Sequence, residues 1–134
     1  MKTDRMSALA EILIFRIIPY NREHFLLEPK TMRFPSFGLS DYVVENPHSI
    51  LRMRPPLTYR NICRWFDDNK EELSCKDCIV AGWNDPRTDE YALEIKRVFK
   101  GFESAGRYAM TIGIETVFHP MTSKSYKINN RRAA

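Results

Sequence analysis

Cys75 and Cys78, in Leu73-Ser-Cys75-Lys-Asp-Cys78-Ile79, have the spacing at which a chain presents two sulfurs to one metal ion or closes a redox disulfide. A tetrahedral zinc site needs four ligands. The sequence offers one further cysteine, Cys63, and three histidines, His24, His48 and His119, with no second Cys-x-x-Cys. Cys63 falls within a predicted helix beside a core-facing Ile62, where it reads as a small buried hydrophobe. The expectation is no bound metal and no cofactor. A thioredoxin-type role is excluded by position. The pair follows a helix and precedes a strand, whereas a low thiol pKa needs the N-terminal end of a helix dipole.

Other catalytic chemistry is equally sparse. The five glycines are too dispersed for a phosphate loop. Glu115 and His119, on one face of a predicted strand, are the candidate acid–base pair of a small enzyme whose site is assembled from distant residues. A solvated salt bridge is the simpler use of that pair. Asp67-Asp68 and Glu71-Glu72 read as the wet face of a helix. The leading expectation is a non-enzymatic binding or assembly protein that acts through its surfaces.

Charge says where such a surface would lie. The formal net charge is +4, and the segment from His119 to Ala134 carries Lys124, Lys127, Arg131 and Arg132 with no acid. Removing those four from the 21 basic residues leaves 17, equal to the 17 acidic ones. The excess therefore belongs to the C-terminal segment, read as a flexible basic tail over 121–134 behind a globular domain at 1–120. A second cluster, Arg52, Arg54, Arg60 and Arg64, runs from a strand through Pro55-Pro56 into a helix with no intervening acid and with Tyr59 inside it. Arginine beside an aromatic suits phosphate and base contact. These eight residues are the expected polyanion-binding set, with nucleic acid, nucleoprotein or an anionic membrane as partner.

The elements that must position them follow from pattern. With 43% hydrophobic and 28% charged residues, the 134-residue chain has globular composition. Leu9–Ile18, rich in β-branched residues and ending at Pro19, reads as a buried strand, with His24–Leu27 as a short second one. Residues 28–40, with two prolines and a glycine, read as an irregular connection packed by Met32, Phe34 and Phe37. Tyr42–Val44 and Ile50–Arg54 are short strands. Thr58 can cap a helix over 58–73 whose apolar face holds Ile62, Trp65, Phe66 and Leu73. Residues 79–83, 91–99 and 107–118 then read as an antiparallel meander. Its second strand presents Glu94, Lys96 and Lys100 to solvent, and a hairpin at 103–106 leads to the third. The predicted class is α+β, one principal helix covering an antiparallel sheet.

Leu73-Ser-Cys75-Lys-Asp77 resembles the Leu-x-Cys-x-Glu motif with which some viral proteins bind the retinoblastoma pocket, with Asp in place of Glu. Leu73 is better used in the core. Over residues 50–83, a strand, then Arg54-Pro-Pro-Leu-Thr-Tyr59, a helix and an antiparallel meander together resemble the arrangement in matrix proteins of negative-strand RNA viruses. That resemblance implies a structural protein that self-associates into a homo-oligomer and binds nucleoprotein or an anionic membrane. No apolar run reaches the length of a membrane span, and no signal-like N-terminus is visible. Three cysteines without a disulfide framework suit a reducing compartment, the cytoplasm or the nucleus.

Overall fold

The computed structural model of the chain describes residues 2–20 and 23–128. Its elements are helix α1 (Lys2–Ile12), strands β1 (His24–Leu27), β2 (Asp41–Val44) and β3 (Leu51–Met53), helices α2 (Tyr59–Asp68) and α3 (Lys70–Ser74), strands β4 (Cys78–Asp85) and β5 (Glu90–Lys100), helix α4 (Phe102–Thr111), and strands β6 (Thr116–His119) and β7 (Lys124–Lys127). The strands form one antiparallel sheet in the order β1-β4-β5-β2-β6-β7, with β3 also paired to β5. The class is α+β, as the pattern predicts.

β5 is the axis of this sheet. On one side it pairs with β4 from Cys78↔Arg97 to Asp85↔Glu90. The connecting turn is closed by Asp85, whose Oδ1 accepts from the Arg87 N–H at 3.0 Å and whose carbonyl accepts from the Asp89 N–H at 2.9 Å. The opposite edge of β5 is shared: β2 occupies Arg97–Lys100 and β3 occupies Tyr91–Leu93. Between them the chain leaves the sheet as the turn Pro47–Ser49, and Ser49 fills the gap with its side chain. Its hydroxyl accepts from the Ile95 N–H at 2.9 Å and donates to the Asn46 carbonyl at 2.8 Å.

The predicted principal helix is present but divided. Thr58 caps α2 by accepting from the Asn61 N–H at 3.1 Å. At Asn69 the backbone leaves helical geometry (φ −120°, ψ 27°), and its side chain donates back to the Trp65 carbonyl at 2.9 Å before α3 resumes. Ile62, Trp65, Phe66 and Leu73 are buried against Val80, Leu93 and Ile95, the sheet residues that share this face. Leu73 is therefore a core residue and not free for a partner's pocket. Gly82 lies directly against the Phe25 ring, where a Cβ would have no room.

Two predicted strands are helices. Leu9–Ile18 belongs to α1 and its continuation, a wide π-turn over Leu13–Ile17 and a 3-10 turn over Ile18–Tyr20. Leu9, Ala10 and Leu13 are buried, and Met6, Ile14, Ile17 and Ile18 pack beside them. These positions recur every four residues. In a regular α-helix such a repeat drifts by roughly 40° per step, and a widened turn absorbs the drift. β-branched content favours a strand locally, but burial of positions four apart in the core decides for a helix. Phe15, which alternation would have buried with Leu13, is 68% exposed.

The second correction is 107–118. Residues Phe102–Thr111 form α4, so the 103–106 hairpin does not exist; its buried positions, Ala105, Gly106 and Ala109, are small and helically spaced. Gly113, at φ 79°, ends the helix as only glycine does at low cost, and the Ile114 N–H donates to the Ala109 carbonyl at 2.8 Å. In the strand that follows, Val117 and His119 are buried, and Thr116 and Phe118 are exposed. Ile112 and Ile114 consequently pack with α4, Val44 and Val117 in a second cluster, apart from Ile62 and Trp65.

Two smaller expectations also change. Phe34 is exposed and packs nothing into the 28–40 connection, whereas Met32 does reach the core. Glu94, assigned to a wet strand face, is 3% exposed, and its Oε2 accepts from the Asn46 N–H at 2.7 Å. Leu13→Ala should cost about 2–5 kcal/mol in denaturant unfolding, whereas Phe15→Ala should stay within about 0.5 kcal/mol. Equal losses at the two positions would restore the strand, in which both share a face. Trp65→Ala should cost about 3–5 kcal/mol.

Candidate polyanion-binding surface

One member of the arginine cluster, Arg52, is turned away from α2. β3 alternates, and Met53 turns toward α2, where its sulfur lies 3.9 Å from Asn61 Nδ2. Arg52 therefore projects from the opposite face of the sheet, and its Nη1 lies 3.5 Å from Asp85 Oδ2. Arg87 shares that carboxylate at 3.7 Å. The Arg87 backbone N–H holds the Asp85 carboxyl below the usual range, helped by the charges of Arg87 and Arg52. Arg54 is exposed one residue past β3, beside the cis Pro55-Pro56 bond. Arg60 and Arg64 are exposed on α2, away from Ile62 and Phe66. Arg64 makes no ion pair with Asp68 among the described residues.

The C-terminal lysines are held differently from a tail. Lys124 and Lys127 lie in β7, which pairs with β6 from Thr116↔Lys127 to His119↔Lys124. The described part of the expected tail is thus the outer strand of the sheet, and all four of its residues are exposed. Arg131 and Arg132 lie outside the described residues. Register places Tyr126 opposite Val117 and Lys124 opposite His119, so both share the face that α4 covers. There Tyr126 meets Phe102, the first residue of α4, at 6.2 Å and 79° between ring planes. Tyr42 completes the group, 5.8 Å from Phe102 and 6.5 Å from Tyr126. Tyr126 and Phe102 are each 40% exposed.

The sequence pattern does not single out these aromatics, because Phe102 falls between the predicted strand 91–99 and the predicted hairpin, and Tyr126 falls within the predicted tail. The available signal was the run Lys-Ser-Tyr-Lys, which alternates a cation and an aromatic on one face of a strand.

The corner is anchored by Asp41 and His119. Asp41 Oδ2 accepts from the Gly38 N–H at 2.7 Å and Oδ1 from Lys100 Nζ at 2.8 Å. The Gly38 hydrogen bond and the Lys100 ammonium hold the Asp41 carboxyl below its ordinary range. His119 is buried, with Nε2 2.7 Å from the Leu39 carbonyl and Nδ1 2.7 Å from Thr122 Oγ1. A carbonyl can only accept, so Nε2 donates to it. Both nitrogens are occupied, the ring packs 4.8 Å from Tyr42, and no contact joins it to Glu115 among the described residues. The candidate acid–base pair is not assembled.

The cysteines are similarly committed. Cys78 Sγ lies 3.7 Å from the Leu73 carbonyl, and Cys75 Sγ lies 3.6 Å from that of Glu71. Burial, with some help from Cys75, pushes the Cys78 thiol up to about 11, leaving it protonated at neutral pH. Among the described residues no three His, Cys, Asp or Glu side chains are placed to hold a metal ion. A cavity of about 440 Å³ lies between the π-turn and the β4–β5 hairpin, lined by Ile14, Ile18, Pro56, Leu57, Asn84 and Tyr91, among others, and contains neither His119 nor Glu115.

No known protein family, no curated protein and no solved structure matches the chain. Among the described residues, no helix is long and apolar enough to cross a membrane.

Asp41 and Glu94 should drive stability in opposite directions with pH. The Asp41 pKa is lowered on folding, so its contribution is present above the unfolded value and lost as pH falls through the folded one. Burial raises Glu94, with Lys96 and the Asn46 N–H opposing, so its cost is present at neutral pH and relieved as pH falls through its folded value. In thermal melts, Asp41→Asn should therefore be most destabilising at neutral pH and converge on the parent in acid. Glu94→Gln should gain on the parent as pH rises.

Proposed function

We propose that the protein is a non-enzymatic binding protein whose basic surface contacts a polyanion, nucleic acid in the first instance. The observation that supports this reading best is β7: an outer strand whose four residues are all exposed, carrying Lys124 and Lys127, neither of which has an acid partner among the described residues. An unpaired cation on a fixed strand is available for a phosphate without first breaking an ion pair. Arg60 and Arg64 are available in the same way on α2, whereas Arg52 must give up Asp85. His119 and Glu115, which an enzyme reading would need together, are separately engaged or exposed. Lysines on an outer strand also oppose edge-to-edge pairing with a second copy, which weighs against a self-associating matrix-like role through this edge.

Heparin, a polyanion without bases, tests the charge component alone. Titrations at several salt concentrations should give affinity that falls steeply with salt. Replacing Lys124 and Lys127 with Gln should reduce the slope by up to about two contacts, and Arg60 and Arg64 together by a similar amount. Absence of binding at low salt would eliminate the reading.

A further inference from the structure

β7 and the start of α4 carry more than charge. Tyr126 and Phe102 are each 40% exposed, yet they are held edge-to-face by one another and by the half-buried Tyr42. Such packing fixes ring orientation, so little side-chain freedom remains to be lost when a flat ligand stacks on the outer surface. Lys124 shares the face of Tyr126, and Lys127 follows on the alternate face of the same strand. Three residues of strand separate Lys124 from Lys127 by about 10 Å, with Tyr126 between them along the chain. Lys100 adds nothing to this field, because Asp41 neutralises it at 2.8 Å. Glu103, exposed in the first turn of α4, and Glu115, exposed and with its carbonyl accepting from the Ile128 N–H at 2.8 Å next to Lys127, are acids beside the patch that work against an anion.

We propose that this corner binds single-stranded nucleic acid, stacking bases on Tyr126 and Phe102 while Lys124 and Lys127 hold the flanking phosphates. The proposal rests on the polyanion reading and narrows it to one partner. A paired duplex keeps its base faces stacked inside, so rigid exposed aromatics beside lysines match unpaired bases and not a double helix. Stacking is tolerant of sequence, because every base has a π-face, so little sequence preference is expected.

The test compares a fluorescent oligothymidylate with an abasic oligomer of the same phosphate number, using the full chain. The parent should bind the base-bearing strand about tenfold tighter or more, the margin expected for one or two stacked bases. Tyr126→Ala and Phe102→Ala should each reduce that margin while leaving heparin binding in place. Tyr126→Phe, which keeps the ring, should retain it and so controls for misfolding. Glu103→Gln should strengthen binding to both oligomers. Equal affinity for the two oligomers alongside heparin binding would overturn the stacking site and leave the polyanion reading standing. Failure of all three probes would overturn both. Capture by anionic phosphatidylserine vesicles that requires Tyr126, without preference for bases, would assign the corner to a membrane and sink the proposal.

Discussion

The sheet depends on one backbone group that no strand can satisfy, the N–H of Ile95. It lies where β2 has ended and β3 has not begun, in the middle of the strand that joins both halves of the molecule. A buried N–H without a partner costs about 1–3 kcal/mol. Ser49 supplies the acceptor from its side chain, and its own carbonyl in turn accepts from Trp65 Nε1 at 2.6 Å. The central strand, the bulge and helix α2 are thereby tied by consecutive hydrogen bonds. The same excursion of the chain presents the Asn46 N–H to Glu94, which supplies a hydrogen bond to a carboxyl group buried in the middle of β5.

Arg97 performs the corresponding task between the two core clusters. Its guanidinium lies 5.2 Å from the Phe99 ring centre and 5.0 Å from that of Tyr108, and 3.9 Å from Glu72. It thus joins β5 and α4 through cation–π contact and α3 through the Glu72 ion pair, with no hydrogen bond to Arg97 Nε or Glu72 Oε1 among the described residues. Lysine could not span both rings from that position, because its charge is compact and strongly hydrated. A cation on the covered face of β5 therefore helps to dock α4 against the sheet.

What was legible follows from this arrangement. α2 could be read because its cap, its apolar face and its polar face agree at Thr58, Ile62 and Arg64. The β4–β5 hairpin could be read because Asn84–Arg87 has turn composition between two apolar runs. α1 and α4 could not, for different reasons. In α1 the β-branched isoleucines favour a strand locally, and only tertiary burial of Leu9 and Leu13 selects the helix. In α4 the buried face is Ala105, Gly106 and Ala109, too small to register as an apolar stripe, and the alternation counted through 107–118 crosses the helix end at Gly113. At the candidate site the cations were legible one by one. Their grouping was not, since it depends on α4 bringing Phe102 to Tyr126 across the end of the sheet.

The lysines of β7 bear on two questions with one property. An outer strand leaves backbone N–H and C=O groups unpaired, and a flat apolar edge would recruit a second copy. Cations on that edge repel a like edge in antiparallel apposition, so the features that end the sheet also keep it open to a different kind of partner. A polyanion reverses the sign of this interaction: the charge that excludes another β7 attracts a phosphate backbone. The aromatics then decide what such a backbone must carry. A plain polyanion offers nothing for Tyr126 and Phe102 to cover, whereas unpaired bases bring apolar faces that bury the exposed parts of both rings. On the proposed reading, charge on the strand and exposed ring area at the helix start together suit a polyanion whose flat groups are free to leave their own stack.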